Sequence, residues 1–252
     1  MNVSKESVRL LVSAPSQYAV RLAHSPGEIQ AAQTLRFQVF NLELNEGLDH
    51  SYATGLDADP FDAVCDHLIV EHVSSREIVG TYRLQTGTSA KKNLGYYCEQ
   101  EFHFAAYEPW RNQLVELGRA CVDRQHRNLF VLGLLWKGIA DYASQRGGRY
   151  LIGCSSLTTQ EPSAGASAYT ELCRKHLAPP QWRTAPLPSH ECPLHEVTEE
   201  PVSIPKLLRA YLAVGANICG PPALDRQFKT VDFLTLLDIE ALSVSTRARF
   251  FG

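Results

Sequence analysis

No window of the 252-residue sequence approaches the roughly eighteen uncharged apolar residues that a membrane-spanning helix needs, so no such helix is expected. The first residues, MNVSKESVRLLVSAPS, lack the long apolar stretch of an export signal. No C-x-x-C pair occurs. The seven cysteines, Cys65, Cys98, Cys121, Cys154, Cys173, Cys192 and Cys219, lie far apart, and several sit in apolar runs. An odd number without framework spacing argues against a disulfide scaffold and predicts reduced, mostly buried thiols in the cytoplasm. The histidines, His24, His67 and His103 among them, show no ligand spacing, so no metal is expected. Internal repeats and low-complexity tracts are missing. A net charge of −3 argues against a polyanion binder, so nucleic acid is not an expected partner.

Apolar residues make up 44% of the chain and charged residues 20%, the proportions of a globular protein with a sizeable core. Charge is unevenly spread: between Arg111 and Arg149, seven Arg/Lys stand against three Asp/Glu. Such a face recruits an acidic partner or a phosphate, or is simply a solvated surface.

YAVRLAH (18–24) reads as a strand. Ser25 to Glu28 is a capping box with proline at the first helical position. It opens a helix through about Leu44, with Ile29, Ala32, Leu35, Val39 and Leu42 at helical spacing. The polar, Gly- and Asp-rich segment from Asn45 to Asp62 reads as a loop, and its length marks it as functional. CDHLIVEHV (65–73) and EIVGTYRLQT (77–86), around a Ser-Ser turn, predict an antiparallel hairpin. A short helix is expected within 96–110, a strand at 113–122, a helix at 129–147 ending at Gly147-Gly148, a buried strand at 149–157 and a helix at about 163–177. Seven prolines punctuate 179–205, and a helix (206–217) and a strand (230–238) follow. This order predicts a mixed α+β fold on one sheet. A single domain is expected, with its core over about 18–178 and a C-terminal extension over about 179–252 completing the sheet.

In the strand at 113–122, Glu116 and Arg119 stand three apart, which in a regular strand puts them on opposite faces. Gly118 between them predicts a bulge that brings both to one face and opens a slot beside the strand. A surface ion pair with a packing glycine accounts for the same residues. The loop DRQHRN then carries Arg124, His126 and Arg127 into a helix that starts near Leu129 or Phe130, where N–H groups attract phosphate. The glycines that let a backbone wrap a pyrophosphate are missing there.

LRFQVF (35–40), DPFD (59–62), YRL (82–84), ELGR (116–119) and the tail PKLLRAYLAVGANICGPPALDRQFKTVDFLTLLD (205–238) occur in this order. With them the chain resembles the acyl-carrier-protein-dependent N-acyltransferases of the GNAT superfamily. The ornithine N-acyltransferase (hemolysin-like) branch is nearer and the autoinducer synthases are more distant. The resemblance covers about residues 18–238. It implies an α/β/α sandwich with a mixed, mostly antiparallel sheet and a bulged central strand. The implied reaction moves a fatty, 3-hydroxy acyl group from acyl carrier protein to the α-amine of an amino acid, ornithine first, opening ornithine-lipid synthesis. Other readings are an acceptor such as glycine or an aromatic amino acid, or a membrane-active protein. The lack of a membrane-inserting segment speaks against the last.

The resemblance implies no permanently bound cofactor; the co-substrate is acyl-4'-phosphopantetheine on acyl carrier protein, or acyl-coenzyme A. It makes Glu116 and Arg119 catalytic, with Glu116 as general base, its carboxyl raised by an apolar slot. Arg36, Asp59, Asp62 and Arg83 bind substrate; the two aspartates either hold the cationic amine or pair with the two arginines. Arg124, Arg127, Asn128, Leu129 and Phe130 would receive the donor, and a basic, loosened loop suits the single phosphate of a carrier protein. Tyr169 is the one tyrosine on helix 163–177, either the acid for the leaving sulfur or a core or surface residue. No tryptophan occurs in VFNLELNEGL, which argues against lactone formation from S-adenosylmethionine. Leu134, Leu135, Trp136, Ile139, Leu151 and Ile152 either line an acyl slot or form core. KLLRAYLAVGANI either lies in a membrane interface or packs on the sheet. The expected place of action is the cytoplasm, with peripheral contact at the inner face of its membrane.

Overall fold

The computed structural model describes residues 17–195, 197–198 and 201–250; the reading of MNVSKESVRLLVSAPS lies outside them. The described strands are β1 (Tyr18–Leu22), β2 (Asp66–His72), β3 (Glu77–Thr86), β4 (Leu114–Val122), β5 (Tyr150–Leu157), β6 (Asn217–Ile218), β7 (Ala223–Asp225) and β8 (Thr230–Asp238). They form one sheet in the order β1-β2-β3-β4-β5-β8-β6, with β7 also pairing with β8. Every pairing is antiparallel except β4 with β5. The helices are α1 (Pro26–Phe37), α2 (Ser51–Thr54), α3 (Gly87–Lys92), α4 (Leu129–Gln145), α5 (Pro162–His176), α6 (Lys206–Ala213) and α7 (Val244–Phe250).

Strand alternation divides the core. Leu68, Val70, Tyr82, Leu84 and Val115 point to one face, where α4 covers them with Val131, Leu135, Ile139 and Ala143. The other face packs under α1 and the helical stretch that continues it, where Leu35 and Val39 meet Cys121 and Phe228, and under the aromatic segment around Tyr96, Phe102, Phe104 and Tyr107. The result is the expected α/β/α arrangement.

Local chemistry accounts for the boundaries. Ser25 caps α1, with Pro26 at its first position. The helix runs on past Phe37 as a wider π-type stretch, Gln38–Glu43, close to the end predicted at Leu44. The segment 45–62 is better ordered than a loop reading suggests: it holds α2 and a 3-10 turn at Pro60–Ala63 capped reciprocally by Asp59 and Asp62. Residues 97–113 form two 3-10 stretches. The helix expected over 206–217 stops at Ala213, and Asn217 already pairs in the sheet with Leu236.

Two features of β4 position everything below. Between Thr81 and Arg83, β3 advances two residues while β4 advances three, from Cys121 to Gly118, so β4 is bulged. The left-handed residue of the bulge is Arg119, with φ +50°, rather than Gly118. Gly118 borders the bulge as expected, but a Cβ there would meet nothing within 4 Å, so no close approach requires the glycine. The parallel ladder to β5 covers only Leu114, Val115 and Glu116, after which the strands part. At the parting, a Cβ on Gly153 would lie 2.2 Å from the Leu117 carbonyl oxygen, so glycine is required for this approach.

Candidate active site

A cavity of about 310 Å³ occupies the gap where β4 and β5 separate. On the α4 side its lining is apolar, with Tyr82, Trp136, Leu151, Leu207, Tyr211 and Leu237. Toward α1 it is charged, and Arg83, Glu116, Arg119, Glu46, Asp225 and Asp232 line that end. It therefore runs through the plane of the sheet, joining an apolar compartment to a polar one.

The bulge brings Glu116 and Arg119 to the same face, as the spacing with a bulge predicts. Glu116 is 4% exposed. Its Oε1 accepts from the Cys98 amide at 2.8 Å, and its Oε2 from the Tyr97 amide at 2.9 Å and Gln85 Nε2 at 2.6 Å. The carboxylate faces three N–H donors, not the apolar slot expected of it.

Around Arg119 lies a buried network of three arginines and three aspartates. Arg36, fully buried, makes a fork to Asp62, Nη1 to Oδ1 at 2.9 Å and Nη2 to Oδ2 at 2.7 Å. Its Nε is 2.8 Å from Asp57 Oδ1, and its Nη2 also donates to the Asp57 carbonyl oxygen. Arg83 Nη1 reaches Asp59 Oδ1 at 2.6 Å and Asp62 Oδ1 at 3.2 Å. Arg119 Nη2 lies 3.1 Å from Asp59 Oδ2 and its Nε 3.4 Å from Asp57 Oδ1, with its guanidinium stacked over Phe228 and Tyr97. Burial pushes Asp59 and Asp62 up, but the guanidinium groups of Arg83 and Arg119 at Asp59, and of Arg36 and Arg83 at Asp62, hold both carboxyls below the usual range. The three positive and three negative charges balance one another. Of the two alternatives for Asp59 and Asp62, the geometry is that of ion pairing, and Arg36 does not line the cavity. Asp57, buried among these groups, has no place in D-x-F-D and was not legible as a site residue.

A second acidic group had no sequence motif either. Glu46, Glu101, Asp225 and Asp232 are each at most 5% exposed, and among the described residues none forms a salt bridge with Lys, Arg or His. Glu101 and Asp232 hydrogen-bond each other, which requires a proton on one of the two carboxyls, and Ser156 and Thr230 also hydrogen-bond Asp232. Burial raises Glu46 to about 7, against a hydrogen bond from Thr158. Burial also lifts Asp232 to about 6 and Glu101 well above the carboxylate range, each repelled by its acidic neighbours. Cys154 joins them, so that Glu101, Cys154 and Asp232 bring ligand atoms within 4.8 Å of one another. The one signal in the sequence was Asp232, an acid in the middle of the apolar strand TVDFLTLLD.

The donor residues lie away from this end. Asn128 caps α4, its Oδ1 accepting from the Phe130 and Val131 amides at 3.0 Å, so two of the N–H groups expected to cradle a phosphate are already satisfied. Arg127 pairs with Glu43 through both nitrogens and donates to the Val122 carbonyl at 2.9 Å. Arg124, Leu129 and Phe130 face solvent, Leu129 at 78% and Phe130 at 55% exposure. Tyr169 packs against the cluster of Leu172 and Phe233, beside Cys173, and does not line the cavity. Burial and the Cys173 hydrogen bond push its hydroxyl up to about 12. Of the six residues considered for the acyl slot, Trp136, Leu151 and Ile152 line the cavity, whereas Leu134, Leu135 and Ile139 are core. On α6, Leu208 and Leu212 are buried and the hydroxyl of Tyr211 bonds that of Tyr82, so this helix packs on the sheet rather than presenting its apolar face outward. Among the described residues no helix is long and apolar enough to cross a membrane.

The split between β4 and β5, the bulge and a cavity open to both faces define an acyltransferase of the GNAT class, and an acetyltransferase (GNAT) domain model matches residues 35–137. The L-ornithine N(alpha)-acyltransferase of Brucella abortus is 34% identical over 239 residues, covering 89% of this chain and 85% of that relative. The enzyme of the same name from Agrobacterium fabrum is 35% identical, covering 88% and 81%. The chain belongs to the L-ornithine N(alpha)-acyltransferase family. The fold is shared with the AHL synthase LasI, at a TM-score of 0.55 and 12% identity over 94% of this chain and 96% of that one. It is also shared with FeeM, an N-acyl amino acid synthase from uncultured soil microbes, at a TM-score of 0.53 and 15% identity over 89% and 94%.

Proposed function

We propose that this enzyme transfers a fatty, 3-hydroxylated acyl group from acyl carrier protein to the α-amine of ornithine, the first step toward ornithine lipid. The observation that carries the reading is the through-sheet cavity, apolar toward α4 and α6 and charged toward α1. An acyl chain occupies the apolar half, the thioester carbonyl sits where the β4–β5 ladder ends, and the amino acid enters from the charged half. Beyond Glu116 the edge of β4 has no partner on β5, and its backbone donors are suited to polarise the carbonyl. The amine nitrogen forms the new bond to the acyl carbon, the carbon–sulfur bond breaks, and the thiolate leaves.

Glu116, held by three donors, fixes the turn at Tyr97–Cys98 against the cavity wall. We assign removal of the ammonium proton to Glu46, which lines the cavity and whose carboxyl lies at about 7, near the pH at which a base works best. Arg119 lines the cavity, and we assign it to the acceptor's carboxylate, which would share it with Asp57 and Asp59 at 3.4 and 3.1 Å. Arg36, Asp57, Asp59, Asp62 and Arg83 hold Arg119 in place. Arg124 with exposed Leu129 and Phe130 forms the face for an acidic carrier protein. The product is detergent-like, and its delivery to the inner membrane face is the place of action this reading gives the enzyme. Expression in a host without such lipids, followed by mass spectrometry, tests it: N-acylornithine is expected, and an unchanged lipid profile would count against it.

A further inference from the structure

We infer that the paired hydroxyls of Tyr82 and Tyr211 recognise a hydroxyl on the acyl chain close to the thioester, so that the enzyme selects a 3-hydroxyacyl donor over an unsubstituted one. The inference rests on the functional reading above, in which an acyl chain fills the apolar half of the cavity, and adds the residues that read its oxygen. Two pairs of hydroxyls interrupt that half. Strand alternation puts Ser155 with Leu151 and Thr235 with Leu237 on the α4 side, where Tyr82 and Tyr211 also line the cavity. Ser155 and Thr235 spend both their hydrogens within the protein: Thr235 Oγ1 donates to the Gly153 carbonyl at 2.9 Å, and Ser155 Oγ lies 3.2 Å from Thr235 Oγ1.

The tyrosine pair does not. Burial pushes both phenols up, so both keep their hydrogens. The two hydroxyls bond each other, which uses one hydrogen, and among the described residues the second has no acceptor. Tyr82 is 3% exposed and its hydroxyl meets that of Tyr211, so the free hydrogen lies inside the protein whichever ring holds it. A buried O–H without an acceptor is costly unless a ligand completes it. A hydroxyl on the chain accepts that hydrogen and returns its own to a phenol oxygen, whereas a methylene does neither.

The register locates this contact along the chain. Leu84 and Arg83 stand opposite Leu117 and Gly118, just beyond the last β4–β5 pair at Glu116, and Tyr82 is the next residue of β3. With the carbonyl at the parting of the strands, the pair lies beside the carbonyl end of the chain rather than its tail. Trp136 braces it, its ring edge-on to Tyr211 at 5.4 Å and 69°.

The test gives the purified enzyme ornithine and either 3-hydroxydecanoyl or decanoyl acyl carrier protein. The wild type is expected to prefer the hydroxylated donor in kcat/KM by at least about tenfold. In Tyr82→Phe/Tyr211→Phe both partners become rings of the same shape and no buried donor is left, so the variant is expected to fold with a Tm near that of the wild type. Its donor preference should fall to about one. Tyr211→Phe alone keeps one hydroxyl and should lose part of the preference, which serves where the double variant misfolds. Equal use of both donors by the wild type, as when a water completes the pair, would overturn the inference, and so would a preference kept in the double variant. Thermal shift with 3-hydroxydecanoyl-pantetheine and decanoyl-pantetheine reads binding without the acceptor. The hydroxylated thioester should raise the wild-type Tm more, and the double variant should respond equally to both. That difference without acyl transfer would leave the recognition standing and remove the functional reading; transfer from both donors at equal rates would do the reverse.

Discussion

Arg119 Nη2 lies 3.1 Å from Asp59 Oδ2, and the residue that makes this contact sits at φ +50°. A side chain in the left-handed region costs about 1 kcal/mol or more, and here the bulge and the ion pairs hold it. Arg119→Met leaves Asp57 and Asp59 as buried charges without this partner. A loss of about 3–5 kcal/mol is expected in urea unfolding. Adding Asp59→Asn should restore part of it, and purely additive losses would mean the pair is not coupled.

Glu116→Gln and Glu46→Gln separate the two carboxylates of the cavity. A glutamine at 116 offers one acceptor oxygen to the donors of Tyr97, Cys98 and Gln85, and turns its own amide toward another of them. Stability is expected to fall by about 1–3 kcal/mol, together with activity. Glu46→Gln should remove the rise of kcat/KM with pH through about 7 without lowering Tm. If Glu116→Gln abolishes turnover at unchanged Tm, the base belongs to Glu116 instead.

Asp232 makes stability depend on pH in a definite direction. Its carboxyl is raised by burial from the usual 3.8 to about 6, so the folded protein binds the proton more tightly than the unfolded chain. That contribution is fully present below about pH 4 and is lost as pH rises through about 6. Two units correspond to about 3 kcal/mol at most. Asp232→Asn is free of this loss, so without ligand it should melt above the wild type at pH 8, with the gap closing toward pH 4. A gap that is constant with pH would mean Asp232 titrates normally.

Much of this was legible from residue types. The capping box at Ser25, the hairpin turn at Ser74-Ser75 and the glycine in ELGRACV each carry a local rule that the fold obeys. The bulge shows the limit: Gly118 marks it, and only the folded backbone shows that Arg119 is its left-handed residue. Asp57 lies in an irregular stretch and meets Arg36 and Arg119 far along the chain, and Asp225 ends the short strand β7, so no spacing announced either. The strands at 217–218 and 223–225 are too short for periodicity and exist because β8 offers them an edge. Asn128 satisfies the α4 amides through an ordinary capping preference, which competes with a phosphate for the same donors.

Donor docking is expected to depend on charge and on salt. Arg124→Glu should raise KM for an acyl carrier protein thioester about tenfold or more with little change in kcat, and the wild-type KM should rise with ionic strength. KM values insensitive to both would move the dock away from this face.

The central claim is acyl transfer to the amine of ornithine through the cavity between β4 and β5. Its most direct test is to incubate the purified enzyme with a 3-hydroxyacyl carrier protein and ornithine, following thiol release and the mass and connectivity of the product. The account predicts one thiol released per Nα-acylornithine formed. Absence of thiol release with ornithine or any other amino acid would contradict it.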